Sequence, residues 1–183
     1  MTKMKKKTPQ TNFYRQEWKE RKPVMIFVLL FFVLAVIFYL LTNGPWFERV
    51  REPFLVLFTT VSSALLNLVG YQTVASGSQL SGPGFGVNIR EGCDALAPAI
   101  LYTVAILAFP GAWNKKFLGI AVGLVTIFVL NLVRIISLYL AGLYIPDWFD
   151  FLHVEFWQVI FIALTVLIWL VWLRWSQKPP VQA

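Results

Sequence analysis

The sequence predicts an all-α integral membrane protein: four transmembrane helices, one amphipathic interfacial or bundle-packed helix and a small extracytoplasmic β-hairpin, in a single membrane domain. Three observations lead there. Hydrophobic residues make up 58% of the 183 and mean hydropathy is +0.67, too apolar for a soluble globular chain. Four apolar runs have the roughly 20 residues that a bilayer core requires. The basic residues behind the net charge of +7 sit at the ends of those runs instead of interleaving with exposed aromatics, so they read as a topology signal and not as a nucleic-acid surface. One Cys and one His exclude a disulfide framework and a structural metal site built from those residue types alone.

Residues 1–22 are polar and carry eight Lys/Arg against Glu17 and Glu20. The run 23–42 that Pro23 opens holds no charge, outlasts the roughly 7–15 residues of a signal-peptide core, and ends at Asn43-Gly44-Pro45 without a small-residue cleavage site. It reads as an uncleaved first span. In 53–70 the polar Thr59, Thr60, Ser63 and Asn67 recur at helical spacing opposite Phe54, Leu57, Phe58, Val61, Leu65 and Leu68, the pattern of an amphipathic helix that need not cross. Residues 71–92 form an outer loop in which Gly77, Gly82, Pro83, Gly84 and Gly86 punctuate β-prone pieces around Val74 and 87–89, as a hairpin would. Further spans cover 93–113, 117–145 and 154–173, joined by a GAWNKK turn and an aromatic outer loop, 146–153; the tail 174–183 follows.

Charge orients the chain. With four spans, the inside holds the N-terminal eight basic residues plus Lys115, Lys116, Arg174 and Lys178, and the outside only Arg49, Arg51 and Arg90. A fifth span through 53–70 would translocate Lys115, Lys116, Arg174 and Lys178, so four spans with both termini cytoplasmic fit better.

That topology gathers three costly residues on the outer side: Cys93 at the start of the second span, Arg134 in the third and His153 at the start of the fourth. An ionised Arg inside a span costs roughly 2.5–3.5 kcal/mol on insertion scales and usually faces a bundle interior or wet cavity with a partner. Snorkelling is the bland alternative, but Arg134 lies on the order of 10–15 Å inside the helix end. Asn131, one turn earlier, is placed to hydrogen-bond the guanidinium or a bound peptide. A lone Cys is more often a small buried hydrophobe than a nucleophile. Cys93, however, follows a loop bearing Gly86 and Gly92 and opens a helix, where N–H groups favour a thiolate; Asp94 opposes this unless it caps that helix. His153 is the one side chain that titrates near neutrality unperturbed, hence the candidate proton shuttle, with Asp150 or Glu155 to orient it. Trp148, Phe149, Phe151 and Trp157 read first as an interface belt and second as walls of a peptide groove. A metal site from Asp94, Asp147, Asp150, His153 and Glu155 matches no recognised spacing, and no cofactor is called for.

The ordered set GVNIREGCDA, NLVRI and a His opening the last span resembles the exosortase/archaeosortase family of integral-membrane cysteine transpeptidases, over roughly 87–173. In that family a Cys follows a short β-like stretch at the outer start of a helix, an Arg sits in an N-x-x-R-[IV] pattern, and a His stands near the start of a later helix. These map onto Cys93, Asn131 with Arg134 and Ile135, and His153. Many members place a small polar residue and Gly after the Cys, where this chain has Asp94-Ala95, and many have more spans. The ALAPAILY, FPGAW and FDFLH segments resemble the branch called exosortase H, which is associated with IPTL-type C-terminal sorting signals. The resemblance implies cleavage of exported, membrane-tethered proteins ahead of their C-terminal transmembrane helix, with transfer to an acceptor nucleophile on a lipid or polysaccharide. It also implies a bacterial inner membrane with the site facing the periplasm. Two other classes stay open: a non-enzymatic scaffold with an inert Cys93, and a lipid-phosphate enzyme using Arg134, Arg90 and His153.

Overall fold

The computed structural model describes residues 9–42, 44, 46–89 and 93–177, with side chains from 21 onward. The expectations for 1–8, Asn43, Pro45, Arg90, Gly92 and the tail beyond 177 lie outside the described residues, as do those for the side chains of 9–20. Five helices and a small sheet follow in order: α1 (Pro9–Thr42), α2 (Glu48–Leu68), β1 (Val74–Ser76), β2 (Gln79–Gly82), β3 (Phe85–Asn88), α3 (Leu96–Ala108), α4 (Trp113–Tyr144) and α5 (Trp157–Ser176). A 3₁₀ turn, Pro146–Trp148, and a π-helical segment, Phe151–Phe156, lead into α5.

Among the described residues, three helical stretches are long and apolar enough to cross a membrane: Arg21–Thr42, Trp113–Tyr144 and Pro146–Ser176. The chain is an integral membrane protein. The expected span 93–113 is shorter than anticipated, because α3 has 13 residues and reaches only about 20 Å at 1.5 Å per residue. Both limits have local causes. Ala95 adopts a left-handed conformation (φ 56°), which keeps Cys93-Asp94-Ala95 out of the helix. At the other end Phe109 is extended (φ −75°, ψ 136°), the conformation that the following Pro110 enforces on it.

The helix α2 runs from Glu48 to Leu68, and 69–70 form a turn. Thr59, Ser62 and Ser63 are buried together with Phe58 and Leu66, whereas Thr60 and Asn67 are exposed with Phe54, Leu57, Leu65 and Leu68. Ser63 Oγ and Asn67 Nδ2 donate to the Thr73 carbonyl at 3.0 and 2.9 Å, and Thr73 N–H donates to Asn67 Oδ1 at 2.7 Å. These bonds tie α2 to the segment that leads into β1.

The outer loop is a three-stranded antiparallel meander, β1-β2-β3, where a two-stranded hairpin was expected. The strand missed was β2, whose QLSG sequence has one apolar residue, Leu80; that residue is fully buried under the sheet. Gly84 makes the β2–β3 turn at φ 89°, which a residue with a Cβ adopts only under strain. The meander packs on α2 and α4, and Leu80, Ile89, Phe58, Leu66, Leu132, Ile135, Tyr139 and Cys93 form one core cluster.

A second cluster, with Tyr102, Ile106, Ile127, Phe161 and Trp172, joins α3, α4 and α5. Here α4 presents Gly119 and Gly123, and a Cβ on either would run into the Trp172 or Tyr102 ring respectively. At the basic end, Lys116 Nζ donates to the Leu107 carbonyl (2.9 Å), Lys115 Nζ to the Ser176 carbonyl (2.8 Å) and Trp172 Nε1 to the Lys115 carbonyl (3.0 Å). These bonds set the three helix ends at one level. Gly123→Leu should lower stability by about 1–3 kcal/mol through overpacking, read as a reduced thermal midpoint in detergent; an unchanged midpoint would show that α3 and α4 are not pressed together at this glycine.

Candidate active site

At the end of the bundle away from Lys115 and Lys116, three elements deliver side chains to one sulfur. Cys93 sits in the non-helical turn ahead of α3. Its neighbour Asp94 is buried, with Oδ1 accepting the Leu96 N–H at 3.1 Å and Oδ2 3.3 Å from Arg51 Nε of α2. Arg51, also buried, bonds Glu48 at 2.7 Å on its own helix. Asp94 therefore takes up the Leu96 N–H at the start of α3 while its charge is balanced from α2, and with the left-handed Ala95 this anchors the turn that carries the thiol.

From α4, fully buried Asn131 donates through Nδ2 to the Cys93 carbonyl at 3.0 Å. One turn on, buried Arg134 directs Nη2 at Cys93 Sγ from 3.6 Å, and its guanidinium lies 5.8 Å from the centroid of the Phe161 ring of α5. The side chain is thus held in the bundle interior by the sulfur and an aromatic face.

His153 arrives on the π-helical segment, a local widening of the helix that recurs at functional sites. Its Nε2 lies 2.8 Å from Cys93 Sγ. The imidazole stacks on Phe149 (5.7 Å, 22°), which meets Phe85 of β3 edge-on at 5.4 Å. Asp150 and Glu155 are exposed, and among the described residues neither hydrogen-bonds the ring, so packing against Phe149 orients it. Trp148 is exposed against Phe151, and Trp157 packs on Phe156; neither lines the cleft. The cleft, of about 340 Å³, is walled by Phe85, Gly86, Val87, Asn88 and Ile89 on one side and Phe149 and His153 on the other, over Ile135, Leu138 and Cys93. Arg90 lies outside the described residues. Among those described, no three of His, Cys, Asp and Glu gather closely enough to hold a metal ion.

Sequence reasoning missed Phe149 as the support of His153 and Arg51 as the partner of Asp94. The only signal for the latter was an acid directly beside a candidate nucleophile, a charge that burial would oblige some cation to balance.

Cys93 precedes α3 and lies outside the three crossing stretches. Burial pushes its thiol pKa up; the Arg134 guanidinium pulls it down and the Asp94 carboxylate pushes it up, with burial prevailing. The resting group at neutral pH is the thiol. Its alkylation rate by iodoacetamide should therefore rise with pH to a midpoint above the ordinary free-Cys value of about 8.5. Arg134→Ala, which removes the charge favouring the thiolate, should move the midpoint up, and Asp94→Asn, which removes the charge opposing it, should move it down. A midpoint well below that of free Cys would contradict this electrostatic balance.

Searches of curated proteins and of solved structures returned no match. The model of the transmembrane exosortase family matches residues 23–170, most of the chain and all of the elements that meet at Cys93. The chain belongs to the transmembrane exosortase family.

Proposed function

We propose that this protein is a membrane-embedded cysteine transpeptidase in which Cys93 is the nucleophile, His153 the proton shuttle and Arg134 the oxyanion-stabilising group. The observation that carries the reading is the meeting of His153 Nε2 at 2.8 Å and Arg134 Nη2 at 3.6 Å on one thiol sulfur. An inert-thiol scaffold has no need of such a constellation, and a lipid-phosphate enzyme has no need of the thiol.

The neutral resting thiol makes His153 a base that acts at the moment of attack. Nε2 takes the Sγ proton as sulfur bonds to the scissile carbonyl carbon, and the carbonyl oxygen becomes an oxyanion beside the Arg134 guanidinium. When the C–N bond breaks, the imidazolium gives its proton to the leaving amine and a thioester remains on Cys93. An acceptor amine or hydroxyl then loses its proton to His153, attacks the thioester carbonyl and frees the sulfur, which recovers that proton. Water in place of the acceptor gives hydrolysis. Asn131 and the Arg51–Asp94 pair keep the turn carrying the sulfur in position.

In this reading the chain crosses the membrane four times, α3 with the turn that follows it forming the short second span and Cys93 standing at its outer end. The basic ends are cytoplasmic, and Cys93 opens to the outer membrane–water interface of a bacterial inner membrane. The substrate is an exported protein whose C-terminal sorting signal of the IPTL type is followed by a transmembrane helix and a basic tail, and the product is joined to a surface anchor on lipid or polysaccharide. The likeness of ALAPAILY, FPGAW and FDFLH to exosortase H supports this choice. Asp150 and Glu155 tune the surroundings of the imidazole, and Trp148 and Trp157 anchor the outer end at the interface.

With a co-expressed reporter of that design, Cys93→Ala should abolish cleavage. Arg134→Lys should reduce it by roughly 10²-fold or more, since a point charge does not replace the planar fork at an oxyanion. Full processing by Cys93→Ala at wild-type abundance would exclude the mechanism.

A further inference from the structure

The meander has two edges, and they are treated differently. Next to β1, the Thr73 N–H and carbonyl are taken up by Asn67 and Ser63 of α2. Among the described residues the far side of β3 has no neighbouring strand, since the sheet order is β1-β2-β3. Pairing with β2 puts Gly82 opposite Phe85, Leu80 opposite Val87 and Gln79 opposite Asn88, and Ile89 N–H donates to the Ser78 carbonyl at 2.9 Å. Antiparallel ladders alternate, so Phe85, Val87 and Ile89 turn their main-chain groups toward β2, and Gly86 and Asn88 turn theirs to the open edge.

That edge forms one wall of the Cys93 cleft, with Ile135 and Leu138 of α4 as the floor and Phe149 and His153 opposite. β3 contains neither charge nor Pro, the usual means of blunting an exposed edge. Gly86, without a side chain, allows close approach of another backbone. The Asn88 side chain is engaged by Ser78 Oγ at 3.0 Å, away from the main-chain groups in question.

We propose that the free edge of β3 receives the substrate as an extended peptide, added as a fourth strand whose main chain pairs with Gly86 and Asn88 and whose scissile carbonyl is thereby delivered to Cys93. The occupant is an extended polypeptide because the wall offers N–H and C=O groups that β2 does not use, at strand spacing, two residues apart, in the same cleft as Cys93. Affinity comes from the main chain, so side-chain identity matters mainly at the positions facing Phe149 and the α4 floor. This inference rests on the cysteine reading above and adds the binding mode.

The test uses acetylated peptidyl chloromethyl ketones of two unrelated apolar, β-prone sequences, which alkylate Cys93 in the full-length protein in detergent, with iodoacetamide as the probe that needs no strand pairing. Both peptides should label at least about tenfold faster than iodoacetamide, as expected for two well-made main-chain hydrogen bonds at about 1 kcal/mol each. N-methylation along the peptide should remove the advantage at alternate residues and spare those between. Gly86→Pro or Asn88→Pro, each deleting an edge amide that β2 does not use, should remove it, read as the ratio of the peptide rate to the iodoacetamide rate measured on the same variant. Peptides without an advantage, N-methylation that is tolerated or harmful at every position alike, or full retention of the advantage in both proline variants would each overturn the proposal; the N-methyl series decides it on the unmutated protein if the variants fold poorly. His153→Ala and Arg134→Ala are run in parallel with iodoacetamide: no change in rate in either would instead overturn the cysteine reading itself.

Discussion

Arg134 is a cation in the interior of an apolar helix bundle, 4% exposed, and the rest of this end of the molecule is arranged around keeping it there. A guanidinium in such surroundings persists when polarisable or hydrogen-bonding groups replace water. Here the thiol sulfur of Cys93 and the ring of Phe161 serve, drawn from the turn before α3 and from α5. Arg134 thereby links three elements distant in sequence, and it provides positive charge where an acyl oxygen bonded through that sulfur would become negative. The same burial disfavours ionisation of the thiol, and the proposed mechanism accordingly assigns removal of its proton to His153.

A second buried pair sets the position of that sulfur. Asp94 follows Cys93, accepts the Leu96 N–H and is met by Arg51, so α2 is tied to the turn carrying the sulfur by charge and to the meander by Ser63 and Asn67. Breaking a buried ion pair by removing one partner typically costs about 3–5 kcal/mol, because the remaining charge is left uncompensated. The meander in turn supplies Leu80 and Ile89 to the core around Cys93 and Phe85 to the aromatic stack behind His153. Sheet, amphipathic helix and bundle are one support for a single site.

Much of this was legible in the sequence. The apolar runs and their basic flanks mark a membrane protein, and the pattern of Cys93, Asn131-x-x-Arg134 and a late His identifies the family. Other features depend on tertiary contacts that no period encodes. Arg51 counts as a flanking charge until α2 folds beside Asp94. The polar stripe of α2 fits equally with facing water or protein, and the meander decides it by offering Thr73 to Ser63 and Asn67. Between Pro146 and Phe156 a 3₁₀ turn, a short α stretch and a π segment follow within a few residues, so no single periodicity tells that Phe149, and not Trp148 or Trp157, supports the imidazole. The shortness of α3 was readable in principle from Pro110, whereas the left-handed Ala95 was not.

The central claim is that Cys93 carries the substrate's acyl group. Intact-mass measurement of the protein after brief incubation with a reporter bearing an IPTL-type motif, a transmembrane helix and a basic tail tests it most directly. The account predicts a species heavier by the reporter's N-terminal fragment, mapped to Cys93, released by hydroxylamine and absent in Cys93→Ala. Cleavage of the reporter with no adduct on Cys93, persisting in that variant, would contradict it.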